Sequence, residues 1–178
     1  MNILAYCDQR WRGATRRVVG REAEIITSPP LSDRDLVPAW FVGREVLYLD
    51  LHGEAHSVYL YNSAGQAALS LATARGLPLA GTVIIALSCN LPETRFITAF
   101  LDAGAQAVVA GSGVNWGAWP WLGAAQVLAR WTIWHLMAGA VIDQAMLGAK
   151  CVLRTSPWNS MVNHANITDA LDFRIYRG

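Results

Sequence analysis

The sequence predicts an α/β fold built on a mostly parallel sheet, and three apolar stretches predict it. Residues 46–54 read Val-Leu-Tyr-Leu-Asp-Leu-His-Gly-Glu, residues 83–90 read Val-Ile-Ile-Ala-Leu-Ser-Cys-Asn, and residues 107–110 read Ala-Val-Val-Ala. Apolar runs of strand length, bounded by turn residues, belong to strands covered on both faces, as in the interior of a parallel sheet. The 37 positions from His52 to Cys89 leave room for the crossover that parallel neighbours require.

Taken in order, residues 2–7 form a first strand. Residues 8–20 carry Arg10, Arg12, Arg16 and Arg17 with Gly13 and read as an exposed loop with a solvated basic face. Residues 24–27 form a short edge strand that Pro29-Pro30 stops. Ser32 is an N-cap, and Asp33 and Asp35 suit the first turn of a helix running to about Phe41. After the His52 strand, residues 57–61 form one arm of a hairpin with a turn at 62–65, and residues 66–75 form a helix that Gly76 ends. The next helix spans residues 92–103, with Pro92 and Glu93 in its first turn and Gly104 past its end. Beyond the strand at 107–110 and the loop at 111–117, a long helix runs from about Trp121 to Lys150, divided near Gly139. Its face of Val127, Trp131, Trp134, Ala138, Val141 and Ala145 is expected on the sheet. A helical turn at 166–169 and a closing strand at 173–177 complete the chain, which reads as a single domain over residues 1–178.

Composition narrows the functional classes. Charged residues make up only 15% of the 178, and the net charge is +1, which excludes a basic nucleic-acid surface. Eight tryptophans are many for this length, and Trp116, Trp119, Trp121 and Trp131 cluster after the third buried strand. Without interleaved Lys or Arg they suit core packing or a peptide-docking surface rather than base stacking. Three cysteines without paired spacing predict a reducing compartment and no disulfides. Neither a signal peptide nor a membrane span is expected, so the predicted location is cytoplasmic.

The chemistry lies where two buried strands end. A thiol becomes a strong nucleophile when an imidazole takes its proton, and His52 beside Cys89 supplies that imidazole. Gly53, lacking a side chain, lets its backbone amide approach a substrate oxyanion, with the Cys89 amide as second donor. The reaction class is acyl transfer to a thiolate, hence peptide or amide hydrolysis. Asp50 shares the face of His52 in a regular strand. It orients the imidazole, floors a pocket for a basic substrate side chain, or is a hydrogen-bonded strand carboxylate. Glu54 and Glu93 lie near the cleft, and Trp116 lies in the loop that would wall it. His56 sits past the turn and is set aside as the base. His135 reads as a packed helix residue and His164 as a loop residue, and no third ligand joins His52 and His56 to make a metal site. A flavodoxin-like phosphate binder is disfavoured because no Gly-rich loop follows the first strand.

Leu49-Asp-Leu-His52-Gly53, then Val83-Ile-Ile-Ala-Leu-Ser-Cys89-Asn90, then Phe100-Leu-Asp-Ala-Gly-Ala-Gln-Ala-Val-Val-Ala-Gly111 resemble the caspase-like cysteine peptidases of clan CD, in particular the bacterial CHAT group. The helix at His135-Leu-Met-Ala-Gly-Ala-Val-Ile-Asp-Gln-Ala-Met and the final Phe173-Arg-Ile-Tyr extend the likeness over roughly residues 45–178. Leu91-Pro92 stands where the group commonly has Thr-Gly, and Asn115 and Trp116 where it has a Leu-Trp pair. The resemblance implies a caspase-like three-layer sandwich, a His52 and Cys89 dyad with Gly53 and Cys89 amides as oxyanion donors, and cleavage of a protein or peptide substrate without metal or cofactor. It also implies an activator protein or homo-oligomer and a role as an effector in defence or cell death. The alternative is a non-catalytic relative that serves as a binding or scaffold subunit.

Overall fold

The structure, a computed structural model, describes residues 1–114, 122–155 and 164–178. Its sheet has the order β2-β1-β3-β6-β7-β8, formed by β1 (Ile3–Asp8), β2 (Glu24–Ser28), β3 (Val46–Asp50), β6 (Val83–Ala86), β7 (Ala107–Ala110) and β8 (Arg174–Tyr176). All pairings are parallel except the last, in which β8 runs antiparallel to β7. A separate antiparallel hairpin, β4 (Tyr59–Tyr61) and β5 (Ala67–Ser70), lies between β3 and β6 in the chain.

Alternation along each strand divides the core in two. Ile3, Ala5, Val46, Tyr48, Val83, Ile85, Ala107 and Val109 face one layer, made by α1 (Arg12–Val19), α4 (Ala124–Met137), α5 (Ile142–Thr155) and α6 (His164–Leu171). Leu4, Tyr6, Leu47, Leu49, Ile84, Ala86, Val108 and Ala110 face the other, where α2 (Leu71–Gly76) and α3 (Phe96–Asp102) pack with the hairpin. Both faces of the central strands are therefore apolar and dry, as their uninterrupted sequences predict.

Several local expectations are corrected. The basic segment after β1 is not a loop: a 3-10 turn at Gln9–Trp11 leads into α1, which buries Ala14, Thr15, Val18 and Val19 along one side. Its arginines point outward, and Arg16 uses its guanidinium to hold the carbonyls of Gly20, Arg21 and Ala23. The helix expected from Ser32 breaks into two 3-10 turns, Asp33–Asp35 and Pro38–Phe41. Pro38 brings no amide and holds Val37 extended. Residues 67–70 of the expected helix become β5, and Ser70 then caps α2 by accepting a hydrogen bond from the Thr73 amide at 3.0 Å. The helix expected over 92–103 is a 3-10 turn, Leu91–Glu93, followed by α3.

The long carboxyl-terminal helix is divided as expected, at Gly139 with φ 89°. The face assigned to the sheet is right only in part: Ala145 is buried and Val127 and Trp131 pack against the core, but the rest of that face is exposed. Ala124, Ala125, Leu128, Ala129, Thr132 and Ile133 are buried, whereas Trp134 is 55% and Val141 60% exposed. Apolar residues surround α4 on nearly all sides, so periodicity could not choose a face; small side chains won it because they allow close packing. Trp134 instead packs edge-on against Trp131, with the Arg130 guanidinium over its ring.

Candidate active site

The ladder between β3 and β6 sets the site. Val46 pairs with Val83 and Leu49 with Ala86, a constant offset of 37 residues that, continued, brings His52 level with Cys89. The Leu87 amide carries the ladder one step further by donating to the Leu49 carbonyl at 2.8 Å. Beyond it the chains part. His52 leaves the sheet and forms a bridge with Tyr61 of the hairpin, exchanging two backbone hydrogen bonds of 2.9 Å. Asn90, in the left-handed conformation at φ 52°, turns the chain immediately after Cys89, and its amide donates to the Gly113 carbonyl.

Gly53 lies directly against the cysteine. A Cβ at this position would stand 2.1 Å from the Cys89 carbonyl oxygen and 3.1 Å from its nitrogen. Only glycine permits this approach. The His52-Gly53 segment and the Cys89 backbone are thus one contiguous unit, and neither reactive residue is sealed: the His52 side chain is 44% exposed and Cys89 partly so.

Two neighbours of the imidazole escaped the sequence reading. Asp8, the last residue of β1, places a carboxylate oxygen 3.8 Å from His52 Nε2. Asp8 is fully buried, and its charge is met by the Arg10 amide at 2.7 Å and by the amide and hydroxyl of Ser63, in the hairpin turn. Trp11 packs its ring against the imidazole, with centroids 4.5 Å apart. The signal available in the sequence was Asp8 itself, a carboxylate ending a buried strand; strand order alone reveals which histidine it faces.

Asp50 is 5% exposed and turned toward α4, where its carboxylate accepts from the Tyr48 hydroxyl at 3.1 Å and the Gln126 amide at 3.3 Å. The carboxylate within ion-pair distance of His52 is therefore that of Asp8, not that of Asp50. Burial pushes the Asp50 carboxyl up to about 6, against the opposing pull of those two donors. Gln126 also accepts from the Gly123 amide at 3.0 Å, so Asp50 ties the tip of β3 to the start of α4. Cys7 is fully buried, and desolvation pushes its thiol up to about 12, so it stays protonated at neutral pH. Glu54 is exposed on the loop after Gly53. Trp116, with Asn115, Trp119 and Trp121, lies outside the described residues. His135 packs against Gly148, and His164 opens α6 rather than lying in a loop. Among the described residues, no three His, Cys, Asp or Glu side chains come together as a metal-binding group, and no helix is long and apolar enough to cross a membrane.

Two outcomes follow. Replacing Gly53 with Ala forces the two backbones apart and costs about 1–3 kcal/mol in urea unfolding; a stability equal to wild type would show that the contact is not tight. Asp50 has a raised carboxyl in the folded state, so the folded protein holds a proton that the unfolded chain releases above about pH 4. Its stability relative to Asp50→Asn should fall by up to about 3 kcal/mol between pH 4 and pH 6–7 and then level off. A pH-independent difference between the two proteins would contradict a buried ionisable carboxyl.

No protein-family profile matches the chain, and no curated protein sequence matches it. Among solved structures, the Arg-specific cysteine proteinase gingipain R is similar, with a TM-score of 0.60 at 10% sequence identity over 99% of this chain. This chain spans about half, 46%, of the length of that one. At this identity the likeness concerns architecture, and it agrees with the sheet order and layers described above: the chain has the caspase-like α/β fold, a mostly parallel sheet between helices, shared with a cysteine proteinase.

Proposed function

We propose that this protein is a cysteine endopeptidase of clan CD, related to the CHAT group, in which Cys89 is the nucleophile and His52 the acid-base. The observation that carries the reading is the contact of Gly53 with the Cys89 backbone, which supports an imidazole and a sulfur working side by side at the open end of the sheet. In the first step the thiol proton passes to the imidazole, and sulfur forms a bond to the substrate carbonyl carbon. With Nε2 turned to Asp8, Nδ1 is the nitrogen left for this exchange. The Gly53 and Cys89 amides hold the oxyanion. Collapse breaks the C–N bond, and the amine departs with the proton from the imidazolium. Water, deprotonated by the same imidazole, then attacks the thioester, releasing the acid and returning the thiol.

Asp8 and Trp11 act on His52 rather than on substrate, fixing the ring and compensating its transient charge. Glu54 and Trp116 are proposed to contact the substrate, a protein, while the buried Asp50 holds Gln126 at the start of α4. The setting proposed is a bacterial cytoplasm, with an activator protein or self-association controlling an effector of defence or cell death.

A peptidyl acyloxymethyl ketone tests the reading. Cys89 should be alkylated, with the label absent in Cys89→Ala and slowed at least ~100-fold in His52→Ala. Random labelling of the exposed Cys151 with no peptide cleavage would replace the enzyme by a non-catalytic binding subunit. Asp8→Asn should lower kcat by about 10- to 1,000-fold with little change in KM. An equal rise in KM would mean that Asp8 shapes the substrate site instead.

A further inference from the structure

We infer that a polar groove beside the site binds the main chain of the substrate on the leaving-group side of the scissile bond; the inference rests on the peptidase reading above. The groove has a volume of about 220 Å³ and is lined by residues 56–58, Leu71 and residues 93–95. Sites for drug-sized ligands occupy roughly 300–1,000 Å³, so this one suits one or two residues of a chain.

Its walls are the two loops that leave the reactive residues. One follows His52 and the other follows Cys89, and the His56 amide joins them by donating to the Glu93 carbonyl at 3.3 Å. Each loop contains a residue in the left-handed region, His56 at φ 62° and Asn90 at φ 52°. Asparagine tolerates this conformation; histidine adopts it rarely and is held there by its surroundings.

The position fits the chemistry. The four residues that follow Cys89, up to Glu93, include one 3-10 turn at about 2 Å per residue, so Glu93 is within reach of roughly two or three extended substrate residues at ~3.3 Å each. The leaving amine takes its proton from His52. The peptide attached to it therefore runs on the side of the imidazole, and the loop that carries the imidazole lines the groove.

The charges indicate what is bound. Glu93 and Arg95 both line the groove, and among the described residues neither joins an ion pair, with the other or with any third residue. The neighbouring hydroxyls are already committed: Ser57 to Tyr59 and Tyr61, and Thr94 to the Leu91 carbonyl. The groove thus presents one strong acceptor and one fork of donors, beside the exposed imidazole of His56. A charged substrate side chain would satisfy one and meet its own sign in the other. A peptide unit, with an N–H donor and a C=O acceptor directed oppositely, satisfies both. The groove therefore reads chain length on the leaving side, with little preference for side chains.

Two peptide libraries, randomised before the cleaved bond, test this. One ends in an aminocoumarin leaving group, and the other continues for four residues to a quencher. The longer set should have kcat/KM higher by ~5- to 10-fold, and that ratio should fall toward one in both Arg95→Ala and Glu93→Gln. A ratio near one in wild type, a ratio unchanged in both variants, or a strong demand for an acidic or basic leaving-side residue would overturn the groove while leaving the peptidase intact. Failure of either library to be cleaved, with no alkylation of Cys89, would overturn the peptidase reading and the groove with it.

Discussion

One backbone contact governs the site: Gly53 lying on Cys89. β3 and β6 are parallel neighbours in fixed register, so the segments that continue them, with Gly53 on one and Cys89 on the other, leave the sheet side by side. A shift of one residue in that pairing would turn every side chain of the strand to the other face of the sheet. Val46, Leu47, Tyr48 and Leu49 are buried on both faces, so the register rests on the fit of each side chain into its own layer. The same apolar packing that stabilises the sheet therefore also sets where Gly53 meets the Cys89 backbone.

The hairpin of β4 and β5 completes the arrangement from outside the sheet. Tyr61 pairs with the His52 backbone, and the turn residue Ser63 donates to Asp8, the carboxylate that faces the His52 ring. A small two-stranded ribbon would be marginal alone. Here it is fastened to the core by Leu60, Ala68 and Leu69, and by the Tyr6 hydroxyl donating to the Ala68 carbonyl at 2.8 Å. The imidazole is thus held by its main chain, its carboxylate partner and the Trp11 ring together.

Two buried carboxylates near the strand tips illustrate how environment assigns roles. Asp8 receives three donors and faces an exposed imidazole. Asp50, on the other face, receives two and is pushed up to about 6 by burial, making it a clamp between β3 and α4. Both residues end apolar strands, and nothing in their local sequence distinguishes them. The difference lies in which neighbours the sheet order and α4 bring.

Strand positions, the parallel sheet and the exit of His52 and Cys89 at strand ends were legible in the sequence, because a strand covered on both faces must be apolar at every position and stop abruptly at a polar residue. Local steric rules also foretold the end of β2 at Pro29-Pro30 and the break at Gly139. Tertiary structure alone decided the rest. Three arginines masked the buried side of α1, an apolar surround hid which face of α4 packs, and Asp8, Trp11 and the hairpin reach His52 across 41 or more residues or from a neighbouring ribbon. Periodicity records how a segment meets water. It carries no record of which segments become neighbours, and that adjacency is what puts the Asp8 carboxylate beside His52 and Gly53 against the Cys89 backbone.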